Sequence, residues 1–286
     1  MEIIRSNVLG FCMGVSRAVA LANEEADRAA GSGGQTYTLG PLIHNPDVLQ
    51  ELKDKGVQDT LPQDVCNCSV IIRAHGVAPS VEEDLRKRGA KIIDATCPNV
   101  KESQLRATAL VNAGFHLFLA GDANHAEIAG IVGYANEQCV VVSNQKDAEI
   151  AAKNLFNKKE ASEIKTALMG QTTISEDEYF GIAEAIKKYF PNLSVLETIC
   201  NATKERQEAL RELLDNVDSV LVVGGKDSAN TKRLFTIAQE SQKPCALIEN
   251  ASEIPPVFYS CNKVGLCTGA STPETVIGEI ELELLR

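Results

Sequence analysis

The sequence predicts an α/β protein made of three similar small domains with parallel sheets, arranged with pseudo-threefold symmetry around a central site. Three observations lead to this prediction. Cys12, Cys97 and Cys200 each follow an apolar strand and stand at the start of a helix. These cysteines lie 85 and 103 residues apart, so they divide the 286 residues into near thirds and suggest an internal repeat. Strands and helices alternate along the whole chain, which is typical of parallel sheets.

The first third of the chain shows the pattern. After the first strand, Cys12 opens an alanine-rich helix, and two later strands end close to His44 and His75. Asn45 and Pro46 are the expected cap and first residue of the helix that follows His44. In order, the predicted elements are strand 3–4, helix 14–31, strand 36–39, helix 46–56, strand 69–72 and helix 79–89.

The second third repeats this order. Cys97 opens a helix, the next strand ends before His125 and Glu127, and a later strand ends before Thr172. The predicted elements are strand 92–93, helix 98–114, strand 115–120, a helix after residue 127, strand 166–169 and a helix ending at residue 190.

The last third repeats it again, with Cys200 opening a helix and two strands ending before Ser228 and Ser271. Ligands of parallel sheets bind beyond the carboxyl ends of the strands, so the three copies are expected to face one shared centre. The predicted domains are 14–97, 98–197 and 198–286, with residues 1–13 joining the third. The predicted elements are strand 195–196, helix 201–213 and strands 219–223, 245–248 and 264–267, then a closing helix.

Composition narrows the class of protein. The chain is 44% hydrophobic and 23% charged, which is typical of a globular protein. A net charge of −11 argues against a nucleic-acid partner or an anionic membrane surface. The N-terminus has no signal-peptide pattern, and no apolar run reaches the roughly 20 residues of a membrane span, so a cytoplasmic location is expected. Nine cysteines in such a chain indicate metal binding or catalysis for some and burial for the rest.

Three converging thiolates suit two kinds of metal centre. They can bind Zn²⁺ with an open fourth position, or a 4Fe-4S cluster with one iron that has no protein sulfur. A helix N-terminus favours the thiolate form that either centre needs. Cys139, Cys245 and Cys267 lie in apolar strands and are expected to be buried small hydrophobes. No functional role is expected for Cys66, Cys68 or Cys261.

Polar side chains at the strand ends suit an anionic ligand. Donors near helix starts are what a phosphate or diphosphate group needs, although each of the Ser and Asn residues is also an ordinary helix cap. If the reaction needs a proton donor, Glu127 is the natural candidate. The alternative is that Glu127 is an ordinary acid in the first turn of a helix, where it interacts with the helix dipole. The candidate ligand-binding residues are His44, His75, His125, Ser228, Asn230 and Ser271.

Eight motifs resemble one family, the 4-hydroxy-3-methylbut-2-enyl diphosphate reductases, iron-sulfur enzymes of isoprenoid biosynthesis by the methylerythritol phosphate pathway. They extend from Gly10 to Pro273 and so cover nearly the whole chain. The motifs are GFCMGV at 10–15, GPLIHN at 40–45, RAHGV at 73–77, DATCP at 94–98, HAE at 125–127, GQTT at 170–173, TICNAT at 198–203 with Arg206 and Gln207, and GASTP at 269–273.

The resemblance implies specific roles. Cys12, Cys97 and Cys200 would bind one 4Fe-4S cluster, whose fourth iron would bind the allylic hydroxyl of the substrate. Ferredoxin or flavodoxin is the implied electron donor, and the products would be isopentenyl and dimethylallyl diphosphate. The implied catalytic residues are Glu127, Thr172 and His125. The implied substrate-binding residues are His44, His75, His125, Thr172, Ser228, Ala229, Asn230 and Ser271.

Three positions depart from the family pattern. Ala229 replaces a frequent serine, so only its backbone N-H is left for the diphosphate, while Ala126 replaces a usual proline and Asn99 a usual apolar residue. Two alternatives remain open at this point. One is a zinc hydrolase with three cysteine ligands that acts on a phosphorylated metabolite. The other is a non-catalytic iron-sulfur sensor or carrier, which would not need Glu127.

Overall fold

The structure is a computed structural model that describes residues 1–60, 68–136, 138–158 and 164–286. It contains three four-stranded sheets. The predicted α/β class with three parallel-sheet units is therefore confirmed. Cys66 lies outside the described residues.

One sheet joins the two ends of the chain. Strand β1 (Glu2–Arg5) pairs in parallel with β12 (Lys263–Thr268), which pairs with β10 (Ser219–Val223), and β11 (Cys245–Ile248) forms the other edge. The apolar residues of β10 and β12 are buried, with Leu221 and Leu266 packed on one face and Val220 and Val222 on the other. Burial on both faces explains why these strands are continuous apolar runs.

The other two sheets have the same kind of order. In one, β3 (Val57–Thr60) lies beside β2 (Thr36–Leu39), followed by β4 (Ser69–Ile72) and β5 (Lys91–Asp94). In the other, β7 (Cys139–Val142), β6 (His116–Ala120), β8 (Thr166–Gly170) and the two-residue β9 (Ser194–Val195) are paired in parallel.

Ten helices connect the strands within the described residues, along with two short 3-10 helices at Ala251–Glu253 and Pro256–Ser260. The ten are α1 Met13–Ser32, α2 Pro46–Asp54, α3 Pro79–Lys87, α4 Pro98–Asn112, α5 Ala126–Tyr134, α6 Gln145–Phe156, α7 Glu176–Lys187, α8 Asn201–Leu214, α9 Ala229–Glu240 and α10 Glu274–Leu284.

Local signals place several helix starts as predicted. The Asn45 side chain accepts a hydrogen bond from the Val48 N-H, and Pro46 is the first residue of α2. The sequence predictions do not cover α6, α9 or β3. Helix α6 is capped by Asn144 and has few large buried side chains, and β3 has Val57 as its only large apolar residue. Both lack the apolar run on which the predictions depend.

The chain forms two compact units. The first comprises Met1–Gly33, Pro41–Gln58 and Asn201–Arg286, and it contains the sheet of β1, β12, β10 and β11. The second comprises Gly34–Gly40 and Asp59–Cys200, and it contains β6 to β9 as well as β2, β4 and β5. Inside the second unit, α3 packs against α5 so closely that a side chain at Gly133 would collide with Ala78.

The three strand cysteines differ in burial. Cys267, on central strand β12, is fully buried, and burial raises the pKa of its thiol to about 12. Cys139 and Cys245 are only partly buried, because β7 and β11 are edge strands; burial also raises the pKa of both thiols. Every cysteine of the described residues is free of disulfide bonds. No helix in the described ranges is long and apolar enough to cross a bilayer.

Candidate active site

A buried acid is the central feature of the second unit. Glu127 lies in the first turn of α5, only 2% exposed, and its two carboxyl oxygens have different donors on one residue. Oε1 accepts the Thr172 backbone N-H at 2.7 Å, and Oε2 accepts the Thr172 hydroxyl at 2.8 Å. Burial raises the pKa of Glu127 to about 7, against the two hydrogen bonds from Thr172, which lower it. Near neutral pH this carboxyl can therefore donate a proton.

Two histidines lie beside this acid. His125 caps α5, because its Nδ1 accepts the Glu127 backbone N-H at 3.2 Å. A nitrogen that accepts a hydrogen bond carries no proton, so the neutral ring of His125 holds its proton on Nε2. The His75 ring, which follows β4, meets the His125 ring edge to face, with centroids 5.2 Å apart. Gly76 has a φ of 70°, and a side chain there would collide with the amide nitrogen of Gln104.

Two of the candidate metal ligands lie in the same unit. Cys97 caps α4, with Pro98 as the first helical residue, and its N-H donates to the Ala74 carbonyl at 2.9 Å. The Cys200 N-H donates to the Thr172 carbonyl at 2.9 Å. The Asn99 side-chain amide donates to the Cys200 Sγ at 3.1 Å. The sulfur of Cys200 thus lies against the first turn of the helix that Cys97 caps.

Cys12 belongs to the first unit and caps α1. Its N-H donates to the Ala270 carbonyl at 3.1 Å, and the N-H of nearby Gly10 donates to the Thr268 hydroxyl at 3.0 Å. The Gly10 carbonyl accepts the Arg206 guanidinium at 2.7 Å, and Arg206 is only 2% exposed. These bonds fix the loop that presents Cys12.

The candidate anion-binding groups of the first unit lie at the starts of helices and beyond strand ends. Ser228 caps α9, since its hydroxyl accepts the Thr231 N-H at 3.3 Å. The Ser271 hydroxyl donates to the His44 carbonyl at 3.0 Å. A side chain at Gly225 would collide with that same carbonyl, so glycine is required for this close approach.

Asn230 is the most unusual of these groups. Its side chain is 5% exposed, yet within the described residues neither its Oδ1 nor its Nδ2 has a hydrogen-bond partner. Buried polar groups of native proteins are nearly always paired, so an amide without a partner suits a site that a polar ligand completes.

The predicted site residues fall into two sets, one in each unit. Ala229 is the first residue of α9, so the group that it offers at the helix start is its backbone N-H and not its side chain. The set in the first unit is Cys12, His44, Ser228, Ala229, Asn230 and Ser271. The set in the second is His75, Cys97, His125, Glu127, Thr172 and Cys200.

Three further residues take part in these contacts without having been assigned a role from the sequence. Arg206 holds the loop of Cys12, Asn99 contacts Cys200, and Gln104 is 1% exposed beside Gly76. Arg206 and Asn99 lie within or next to cysteine motifs, which is the only sequence signal that could have identified them. Gln104 has no such signal.

The fold and these groups define a class of protein. It is a parallel-sheet α/β protein with three cysteines at the starts of helices that form no disulfide, a buried carboxyl whose pKa is about 7 and a buried amide, beyond a strand end, that has no hydrogen-bond partner within the described residues. The family model described as LytB protein matches residues 3–285, and the chain belongs to that family.

Known relatives support this membership over the full length. The chain is 45% identical to the 4-hydroxy-3-methylbut-2-enyl diphosphate reductase of Treponema denticola, covering 100% of this chain and 99% of that protein. It is 37% identical to the protein of the same name from Aquifex aeolicus, covering 98% and 95%. The resemblance stated from the sequence motifs is confirmed.

Two solved structures are similar as well. One is the E-1-hydroxy-2-methyl-but-2-enyl-4-diphosphate reductase of Plasmodium falciparum, with a TM-score of 0.91 and 28% identity, covering 100% of this chain and 88% of that one. The other is described as (E)-4-hydroxy-3-methyl-but-2-enyl diphosphate reductase, the terminal enzyme of the non-mevalonate pathway. Its TM-score is 0.71 at 36% identity, covering 100% and 99%.

Proposed function

We propose that this chain is a 4-hydroxy-3-methylbut-2-enyl diphosphate reductase, which removes the allylic hydroxyl of its substrate and forms isopentenyl and dimethylallyl diphosphate. Family membership and the names of the full-length relatives support the reaction. The observation that carries the proposal is the buried Glu127, whose pKa is raised to about 7 and whose carboxyl accepts two hydrogen bonds from Thr172, because loss of a hydroxyl as water needs a positioned acid.

Cys12, Cys97 and Cys200 are the proposed ligands of one 4Fe-4S cluster. Their chemistry fits this group: none of the three forms a disulfide, each stands at the start of a helix, and Cys200 already accepts a hydrogen bond at its sulfur. The cluster would supply two electrons, one at a time, and a Lewis-acidic iron for the hydroxyl oxygen.

Glu127 is the proposed proton donor. A glutamate of ordinary pKa would be ionised at pH 7 and would repel the developing hydroxide, whereas burial keeps Glu127 about half protonated there. The Thr172 N-H and O-H fix both carboxyl oxygens, so the acid keeps one orientation. The Nδ1 of His125 accepts the Glu127 N-H, and we assign the Nε2-H of this ring as a donor beside the acid.

The remaining site residues are proposed to bind the diphosphate. Asn230 has two polar atoms with no partner in the described residues, Ser228 and Ser271 bring hydroxyl groups, and Ala229 contributes a helix-start N-H. Such binding would orient the allylic carbon, which converts binding energy into rate. His44, His75, His125 and Thr172 complete the proposed substrate-binding set.

The proposal also covers the electron donor, the cellular location and the domains. A low-potential donor such as ferredoxin or flavodoxin would supply the electrons, and a cytoplasmic location fits a chain with nine cysteines. We also propose the division into domains 14–97, 98–197 and 198–286, with 1–13 joining the third. The three sheets and the pairing of β1 with β12 support it.

The first experiment is anaerobic purification, quantitation of iron and sulfide, and turnover of the hydroxylated diphosphate with a reduced donor. We expect about four irons per chain and conversion to both five-carbon products. Zinc in place of iron would favour the hydrolase instead. A full cluster without conversion would favour the sensor or carrier.

The second experiment tests the acid. Glu127→Gln should lower turnover by roughly 10²- to 10⁴-fold, the usual contribution of a general acid, with iron content unchanged. Glu184→Gln is the matched control, because Glu184 lies exposed on α7 in a surface ion pair with Lys187. If the Glu127→Gln enzyme turns over normally, the assignment of Glu127 as proton donor is wrong.

A further inference from the structure

Hydrogen bonds position both Asn99 and Cys200 for their contact with each other. Asn99 is half-buried in the first turn of α4, where its carbonyl accepts the Ser103 hydroxyl at 3.2 Å. Cys200 is held by the bond from its N-H to the Thr172 carbonyl. The Asn99 Nδ2 lies 3.1 Å from the Cys200 Sγ and donates a hydrogen bond to it.

The local sequence explains why a side chain fills this role. A helix start normally offers backbone N-H groups to a nearby anion, but Pro98, the first residue of α4, has none. The amide of Asn99, one residue later, supplies a donor in this turn. An apolar residue at this position could not do so.

A donor on a ligand sulfur changes the chemistry of the metal group. Reduction adds negative charge, part of which resides on the sulfurs, so a hydrogen bond to a ligand sulfur is stronger in the reduced state. Hydrogen bonds to the sulfurs are one of the factors that set the reduction potential of iron-sulfur clusters. A neutral amide adds this effect without a new charge.

We propose that Asn99 is a positioning residue that raises the reduction potential of the metal centre through its hydrogen bond to the Cys200 sulfur. The inference rests on the proposed function, because Cys200 is a ligand only if the chain carries the cluster. The step concerned is the addition of one electron to the cluster by an external low-potential donor, in which no bond to hydrogen forms or breaks.

The test is a dithionite titration of anaerobically purified, cluster-loaded protein, with the reduced cluster followed by electron paramagnetic resonance. Asn99→Leu replaces both amide atoms by methyl groups of similar shape and removes the donor. Asn112→Leu is the matched control, since Asn112 is exposed at the other end of α4. Iron and sulfide are quantified in every sample, and Asn99→Ala is used if Asn99→Leu does not load.

We expect Asn99→Leu to lower the equilibrium constant for one-electron reduction by about threefold, which is about 28 mV at the one-electron constant of 59 mV per decade. The control should keep the wild-type potential. An unchanged or higher potential in a fully loaded Asn99 variant would overturn the inference while leaving the proposed function intact. Wild-type protein that binds no iron-sulfur cluster would overturn the proposed function, and this inference with it.

Discussion

The pKa of Glu127 should depend on the hydroxyl of Thr172, and Thr172→Val tests this dependence. Valine has nearly the shape of threonine, and Thr172 is 6% exposed, so the change removes little except one hydrogen bond. That bond, from the hydroxyl to Oε2 at 2.8 Å, stabilises the ionised carboxylate. The backbone N-H of Thr172 keeps its bond to Oε1.

The magnitude follows from the charge of the acceptor. A hydrogen bond to a charged group contributes roughly 1.5 to 3 kcal/mol, and 1.36 kcal/mol corresponds to one pKa unit, so losing it should raise the pKa by about 1 to 2 units. The pKa of Glu127, about 7 in the native chain, should then lie near 8 to 9. The pKa of Glu127 rises because the lost hydrogen-bond donor favoured the charged form of the carboxyl.

The pH dependence of kcat/KM measures this shift, because it reports the pKa values of the free enzyme. The enzyme needs the protonated acid, so activity should fall on the alkaline side around pH 7 in the native enzyme and about 1 to 2 units higher in Thr172→Val. Thr108→Val is the control, because it also removes a threonine hydroxyl, but one that donates to the Tyr134 carbonyl and not to Glu127. An alkaline limb that stays in place would refute the assignment of this limb to Glu127.

Two more predictions concern the first unit. Asn230→Leu should weaken substrate binding, seen as about a tenfold rise in KM. The melting temperature should stay equal or rise, because a buried amide without a partner in the described residues is replaced by an apolar group of the same shape. An unchanged KM, or a lower melting temperature, would contradict this prediction. Gly225→Ala should lower the free energy of unfolding by roughly 1–3 kcal/mol in denaturant titration, because the added methyl collides with the His44 carbonyl. Gly278→Ala, in the open on α10, should raise that free energy by about 1 kcal/mol; equal effects at the two positions would contradict the close approach at Gly225.

The sequence predicts those parts of the fold that depend on neighbouring residues. Asn45 and Pro46 specify the start of α2 by themselves, and the apolar run of β10 specifies a buried strand. Sheet order depends on residues far apart in the chain. Ile3 pairs with Val264, and no local pattern predicts that register. The edge strand β3 has too few apolar residues to be distinguished from a loop.

The site shows the same limit. Strand ends and the resemblance identify the candidate residues, and the comparisons confirm the family and its reductase function. The sequence does not show that Thr172 uses both its N-H and its O-H on Glu127, since the two residues are 45 positions apart. A buried Arg206 within a polar helix is equally unpredictable, because its partner is the distant carbonyl of Gly10.

Thr172 connects the two kinds of chemistry that the proposed reaction needs. Its N-H and O-H hold the carboxyl of Glu127, and its carbonyl holds the backbone of Cys200. The first pair of bonds sets the pKa of the acid and the last sets the position of a proposed metal ligand. Only the hydroxyl belongs to the side chain, so replacing Thr172 by valine should change the acid and leave the ligand where it is. The position of Cys200 depends instead on the backbone after β8, which the Gln171 N-H fixes through its bond to the Ala120 carbonyl at 2.7 Å.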